Sequence, residues 1–344
     1  MSIDQQTIAH AMRRALELAA TPGVPHGPNP RVGCVLLAAD GSTIAEGFHR
    51  GAGTAHAEAA ALAVAGDAAA GATAVVTLEP CNHTGRTGPC AQALIDAGVV
   101  RVVFAQPDPN PVAAGGAETL LAAGVEVDMG LLEHEARRVN RAWTFALEHA
   151  RPFVTWKFAA TLDGRSAAAD GTSQWITGEE ARRDVHLLRA TCDAIVVGTG
   201  TVLADDPHLT VRDAGGDPLP ADRQPLRVVV GDRAVPEGAR VLDAAAETVL
   251  LPGHDPAATL AALQGRGIQH VFLEGGPTLA GAFLAAGRVD EVVAYLAPKL
   301  LGSGRTAVAD LGIESIAGAL ELEVEDVAVL GRDVRVTGRP RGRN

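Results

Sequence analysis

Residues 79–90 read Glu79-Pro80-Cys81-Asn82-His83-Thr84-Gly85-Arg86-Thr87-Gly88-Pro89-Cys90, and His56-Ala57-Glu58 stands upstream of them. Each ligand-type residue falls at a junction between elements. His56 opens a run of helical periodicity that continues to Val64, Cys81 follows a strand-like run from Ala74 to Leu78, and Cys90 opens a helical run over 90–97. One histidine and two thiols with a fourth position left open are a donor set suited to a catalytic zinc. The positive end of a helix favours thiolate at Cys90, and a bound metal deprotonates both cysteines. Glu58, two residues past His56, can approach a metal-activated water without ligating the metal, which is where a proton shuttle belongs. Alone, His-Ala-Glu is a cheap pattern, and helix-end residues beside ordinary buried thiols would be the better reading. The ordered set at successive junctions outweighs it.

Outward from this stretch the pattern is α/β. A helix over 7–20 leads through the Pro/Gly loop TPGVPHGPNP to strands Val32–Leu37 and Thr43–Phe48, read as a hairpin. Beyond Cys90 come strand Arg101–Ala105, helix 115–123, strand Val125–Asp128 and one long helix over 131–147, which predicts a sheet sandwiched by helices. That helix ends near Glu148 to Pro152, dividing a 1–148 domain from a 151–344 domain. The second half restarts with strand Phe153–Ala160 and a helix at 178–191. Strands follow at 194–198, 226–231, 247–251 and 269–273, with helices at 256–265 and 276–286. Strands at 289–297, 320–330 and 333–337 give it an antiparallel end. Residues 213–225 read as the most mobile loop.

The 344 residues suffice for two domains with proper cores, and 47% hydrophobic against 20% charged residues is folded, globular composition. No run approaches the length needed to span a bilayer, and the N-terminus lacks the apolar core of a signal peptide, so a soluble, non-exported protein is expected. Net charge is −12, and both halves are acidic, by 15 to 9 and 26 to 20, which argues against nucleic-acid binding. The Arg339–Arg343 tail reads as a frayed, solvated terminus. Four cysteines in so long a chain fit a reducing cytoplasm, with Cys34 and Cys192 assigned to packing.

The order His, Glu, Pro-Cys, Cys resembles the zinc deaminases, although eight residues separate Cys81 from Cys90 where two are usual. The inserted NHTGRTGP offers His83, Thr84 and Arg86 as polar groups for a substrate. With Pro28-Asn29-Pro30-Arg31-Val32-Gly33, Gly47-Phe48-His49 and Asp108-Pro109-Asn110-Pro111, the long spacer resembles the bacterial bifunctional riboflavin-biosynthesis deaminase/reductase family, and the similarity runs through the rest of the chain. The resemblance implies a cytidine-deaminase-like α/β/α sandwich with a mixed sheet, followed by a dihydrofolate-reductase-like α/β domain. It implies zinc on His56, Cys81 and Cys90, proton transfer by Glu58, and a pyrimidine ribosyl-phosphate site lined by Asn29, His49, His83, Asp108 and Asn110. Asn82 and Gly88 replace residues more frequent in the family.

The second half carries Glu274-Gly275-Gly276-Pro277-Thr278 between a strand and a helix, where two glycines allow close approach of a pyrophosphate. A second Gly/Thr loop, Val197–Thr201, follows another strand. No G-x-G-x-x-G stands in strand-to-helix context, so a Rossmann domain is not expected. The family resemblance implies NADPH contacts from Ala159, Trp175, Thr201, Asp205 and Gly275, Gly276, Pro277, Thr278, Leu279, Ala280 and Gly281. It implies substrate contacts from Ser173, Arg189, Leu209, Arg212 and Glu274. Arg189 and Arg212 are sound partners for a sugar phosphate, with surface salt bridges as their ordinary alternative. Lys157, one of two lysines in the chain, reads as a catalytic group polarising the acceptor carbonyl, or as a partner of Asp163. Trp156 and Trp175 suit a core as well as they suit a cofactor.

The expected chemistry is hydrolytic removal of the 2-amino group of 2,5-diamino-6-(5-phosphoribosylamino)pyrimidin-4-one, then NADPH-dependent reduction of ribosyl to ribityl. The resemblance also implies a homo-oligomer. One competitor is a deaminase of flipped nucleic-acid bases, disfavoured by acidity and the second domain. The other is a zinc-stabilised scaffold, which requires a fourth protein ligand, with His83 nearest in sequence.

Overall fold

A computed structural model describes residues 3–25, 27–83, 88–213 and 215–341. Thr84, Arg86 and the end of the basic tail lie outside the described residues. The chain forms two compact units, Met1–Ala150 and Arg151–Asn344.

The first unit runs α1 (Gln5–Ala19), β1 (Gly33–Leu37), β2 (Thr43–Phe48), α2 (Ala57–Ala65), β3 (Thr73–Leu78), α3 (Cys90–Asp96), β4 (Arg101–Gln106), α4 (Gly116–Ala122), β5 (Glu126–Met129), α5 (Glu133–Val139) and α6 (Arg141–His149). Its five-stranded mixed sheet has the order β2-β1-β3-β4-β5, antiparallel at β1 and parallel from β3 to β5. Strands β1 and β3 are buried along their whole length, as expected of strands covered on both faces. Ile8, Met12 and Ala15 of α1 and Ala136 of α5 pack on one face, and Ala57, Ala61, Leu94 and Leu120 of α2, α3 and α4 pack on the other. Gly47 lets α2 lie directly on β2, since a Cβ there would stand 2.3 Å from the Ala57 carbonyl. The helix expected over 131–147 is broken at Asn140, whose side chain is drawn away to Arg31. Its Oδ1 accepts from Arg31 N at 2.8 Å, and its Nδ2 donates to Arg31 O at 2.9 Å.

The second unit runs β6 (Phe153–Thr161), β7 (Arg165–Ala167), α7 (Glu179–Arg189), β8 (Ala194–Gly198), α8 (Thr199–Asp205), β9 (Leu226–Val230), β10 (Thr248–Leu251), α9 (Pro256–Gln264), β11 (His270–Leu273), α10 (Pro277–Ala285), β12 (Glu291–Ala297), β13 (Arg305–Thr306), β14 (Leu322–Leu330) and β15 (Asp333–Pro340). Eight strands form one sheet in the order β10-β9-β8-β11-β6-β12-β15-β14, parallel as far as β12 and antiparallel beyond it. One face carries Leu260, Leu263 and Phe283 of α9 and α10, and the other carries Ala181 and Val185 of α7. The Gly/Thr segment after β8, read as a loop, is the start of α8: Gly198 takes the extended N-cap conformation and Val202 is buried. The 213–225 segment carries its own hydrogen bonds, with Gln224 donating to Val211 O and Leu219 O and accepting from Val211 N.

Candidate functional sites

His56 is the N-cap of α2, Cys90 is the first residue of α3, and Cys81 follows the end of β3. Their donor atoms all lie within 4.8 Å of one another. His56 Nδ1 is 3.5 Å from Cys81 Sγ and 3.3 Å from Cys90 Sγ. Tetrahedral zinc, with bonds of about 2.3 Å to sulfur and about 2.0 Å to nitrogen, separates such atoms by about 3.5 Å, so this donor set fits the ion. The hydrogen bond from Cys90, together with nearby His56, holds the Cys81 thiol below the ordinary thiol range. Among the described residues no fourth His, Cys, Asp or Glu joins the cluster.

Glu58 lies in the first turn of α2 and is 4% exposed. Burial pushes its carboxyl up to about 7, and it interacts with Cys81, His56 and Cys90. His49 is buried beside the cluster, its ring T-shaped to that of His56 at 5.4 Å. Its Nδ1 donates to Ala55 O at 3.0 Å, which leaves Nε2 to accept from Asn29 Nδ2 at 3.2 Å. Asp108 is half-buried, and burial followed by the neighbouring Glu79 and Cys81 pushes its carboxyl up to about 6. Its Oδ1 accepts from Asn110 N at 2.8 Å. His83 interacts with Asp108, and its buried Nδ1 has no hydrogen-bond partner among the described residues. The expected deaminase residues are thus brought together. Glu79, quoted in the motif but given no role, also emerges here, buried and bonded to the 108–117 loop. Its signal was a carboxylate directly before Pro-Cys.

The second unit holds a cleft of about 1330 Å³ lined by Lys157, Ala159, Ser173, Trp175, Arg189, Thr201, Asp205, Leu209, Arg212, Glu274 and Gly275 to Leu279. It follows the carboxyl ends of β8 and β11, where open parallel sheets bind ligands. Gly275 and Gly276 leave its wall without side chains, and a Cβ on Gly275 would meet Leu279 at 2.9 Å. Pro277 opens α10, whose first-turn N–H groups favour an anion. A cleft of this size, with a bare glycine wall before a nine-residue helix, fits a dinucleotide and a substrate together. Ala280 is buried and Gly281 packs against Ala309, and neither lines the cleft.

Arg189 donates to both Glu274 oxygens, at 2.5 and 3.0 Å, and to Thr210 O at 3.0 Å. Lys157 pairs with Glu274 at 3.6 Å and not with Asp163, which is taken up by Thr161 Oγ1, Leu301 N and Gly302 N. Burial lowers the Lys157 ammonium, and the Glu274 carboxyl sits at about 2, where Arg189 and Lys157 overcome the effect of burial. Trp156 is core, stacked on Phe158, whereas Trp175 is 63% exposed with the Arg182 guanidinium 4.5 Å above its ring. Ser173 Oγ donates to Asp205 at 3.4 Å, and Arg212 Nη1 to Gly216 O at 2.7 Å. Leu209 is buried in a left-handed conformation, a strained backbone of the kind that gathers at functional loops.

The chain matches two family models, the cytidine and deoxycytidylate deaminase zinc-binding region over residues 5–106 and the RibD C-terminal domain over residues 152–336. Riboflavin biosynthesis protein RibD of Mycobacterium tuberculosis is 49% identical over 97% of this chain and 98% of its own, and that of Escherichia coli K12 is 43% identical over 94% and 96%. Among solved structures, RibD of Acinetobacter baumannii superposes with a TM-score of 0.91 at 40% identity, over 98% of this chain and 100% of the other. The Thermotoga maritima diaminohydroxyphosphoribosylaminopyrimidine deaminase/5-amino-6-(5-phosphoribosylamino)uracil reductase superposes at 0.89 with 34% identity, over 98% and 99%.

Proposed function

The chain belongs to the RibD family of bifunctional riboflavin-biosynthesis enzymes, and on that premise we propose which residues carry its two reactions. It is a zinc-dependent deaminase and an NADPH-dependent reductase in one chain, and its substrate is a pyrimidine ribosyl phosphate.

His56, Cys81 and Cys90 hold the zinc, which when bound supplies an activated water. Glu58 takes one proton from the attacking water and delivers it to the ring nitrogen, then passes the remaining hydroxyl proton to the amine, so that C–NH2 becomes C=O and ammonia leaves. Its burial suits this work, because burial raises the carboxyl and makes the proton it accepts easier to hold until it is passed on. Asn29, His49, His83, Asp108 and Asn110 bind and orient the pyrimidine and its ribosyl phosphate. The neutral His49, with Nδ1 committed to Ala55 O, keeps one tautomer for Asn29.

In the second unit NADPH supplies the hydride that converts ribosyl to ribityl. Ala159, Trp175, Thr201, Asp205 and the Gly275–Gly281 segment hold the cofactor, the last two residues by supporting the helix. Lys157 holds a proton at the acceptor, and Glu274 fixes Lys157. Ser173 and Leu209 complete the substrate wall. Arg189 uses one donor on each of its three nitrogens for Glu274 and Thr210, which leaves two N–H groups for the phosphate beside Arg212.

We place the enzyme in the cytoplasm, in keeping with four unpaired cysteines, and among the described residues no helix is long and apolar enough to cross a membrane. We assign it a homo-oligomeric state, supported by Leu322, Val324, Val327 and Val329 exposed on the outermost strand β14 and testable by light scattering.

The observation that carries the reading is the three-donor cluster with Glu58 buried beside it. Mass spectrometry of products formed from the diaminopyrimidinone phosphate tests it. Deamination alone is expected without NADPH, and deamination plus reduction with it. Glu58→Ala should keep zinc, lose deamination and still reduce the deaminated intermediate when that is supplied. Deamination that survives in this variant would remove Glu58 from the mechanism.

A further inference from the structure

Glu79 ends the segment that leads into the Cys81 turn, and the two reactions as assigned give it no task. Its side chain is 8% exposed, a costly place for a carboxylate unless donors meet it. The donors come from the backbone of one continuous segment, the loop before α4 and the first turn of that helix: Oε2 accepts from Asp108 N at 3.2 Å, and Oε1 from Gly115 N at 3.2 Å and Ala117 N at 3.0 Å. One carboxylate therefore grips both ends of residues 108–117. Between those ends the loop is bonded to itself, with Asn110 N on Asp108 Oδ1 and both Ala113 N and Ala114 N on Asn110 O. Its middle is pinned to the metal turn by Asn82 N, which donates to Ala113 O at 2.8 Å. Its far end passes so close that a Cβ on Gly116 would lie 1.8 Å from Pro80 O.

We propose that Glu79 is a positioning residue for deamination, clamping the 108–115 loop to the first turn of α4 so that Asp108 and Asn110 are held against the substrate. The inference rests on the reading that these two residues meet the pyrimidine ribosyl phosphate. Three converging N–H groups need an acceptor-only group with lone pairs on both oxygens. An amide of the same size turns an NH2 towards at least one of them.

Steady-state kinetics of Glu79→Gln in the full chain test this. Loss of a buried charge-assisted contact should raise the deaminase KM about ten-fold. kcat should fall much less, zinc should remain at one per chain, and the reductase rate of the same molecules should be unchanged. General destabilisation lowers the active fraction, and with it the apparent kcat, at constant KM, so the KM change separates positioning from mere structure. Asp108→Asn should raise KM alone, and adding Glu79→Gln to it should cost little more, because both act through one contact. Loss of zinc, or a fall in kcat at constant KM, overturns the proposal in favour of support for the metal turn. Wild-type kinetics in Glu79→Gln, or full additivity in the double variant, overturns it outright. A wild-type KM in Asp108→Asn removes the underlying substrate assignment and the proposal with it. An Asp108→Asn defect beside an unaffected Glu79→Gln removes the proposal alone.

Discussion

The Glu274 carboxylate is 10% exposed between Arg189 and Lys157, whose side chains are 14% and 17% exposed. Burial alone would raise its pKa, but the guanidinium and then the ammonium hold it at about 2, below the ordinary 4.5. A carboxyl depressed in the folded state contributes stability that is present above 4.5 and lost as pH falls towards 2. Glu274→Gln leaves two buried cations without their anion, which costs about 3 kcal/mol at neutral pH. The melting temperature of the reductase transition should therefore drop in the variant at pH 7. The gap to wild type should close as pH is lowered from 4.5 to 2, as read by calorimetry across that range. A gap that stays constant would show that Glu274 is not ionised between its partners. Lys157 was legible as a site residue because lysine is so rare here. Its partner was not, because Glu274 reaches it from just beyond the end of β11, the strand beside β6, whereas Asp163 was merely near in sequence.

At the scale of elements, Asn140 shows where periodicity fails. The apolar spacing over 131–147 is continuous, and an asparagine on one side of it does not read as a stop. The break at Asn140, φ −108° and ψ 24°, comes from a partner 109 residues upstream, the backbone of Arg31, which no local window contains. Asn140 thereby fixes the chain two residues from Asn29 of the site. Asn140→Ala should strand the buried Arg31 N–H and C=O and cost the deaminase unit about 2 kcal/mol. The urea midpoint of that unit should fall while reductase activity persists to wild-type denaturant concentrations. Unchanged unfolding would mean that water replaces the amide. The same limit hid α8, where Thr199, Gly200 and Thr201 are poor helix formers whose helix is settled by the Gly198 N-cap and buried Val202. Most other elements were legible because each buries one face or both, and the sequence repeats that burial at periods of two or 3.6.

Across the whole molecule, the two sites differed in legibility because they are assembled differently. His56, Cys81 and Cys90 sit at the starts of helices or just after a strand, so order and spacing displayed the metal site directly. The cleft of the second unit gathers Lys157, Arg189, Thr201 and Glu274 from separate strands and helices, with only a Gly-Gly pair as local signature. Its residues were reachable through resemblance to a family and hardly through pattern. The assembly also sets a testable separation, since every donor of the metal cluster lies within Met1–Ala150 and every residue lining the cleft within Arg151–Asn344. Removing the metal should therefore abolish deamination and leave reduction of the deaminated intermediate by NADPH at its full rate. Thermal stability should divide in the same way. Chelator lowers the transition of the first unit, and NADPH at about 100 times its Kd stabilises the second by about 2.7 kcal/mol. Product analysis and calorimetry on one chelated sample read both effects. Loss of reduction together with deamination would show that the metal site supports the cleft as well, against the division of residues between the units.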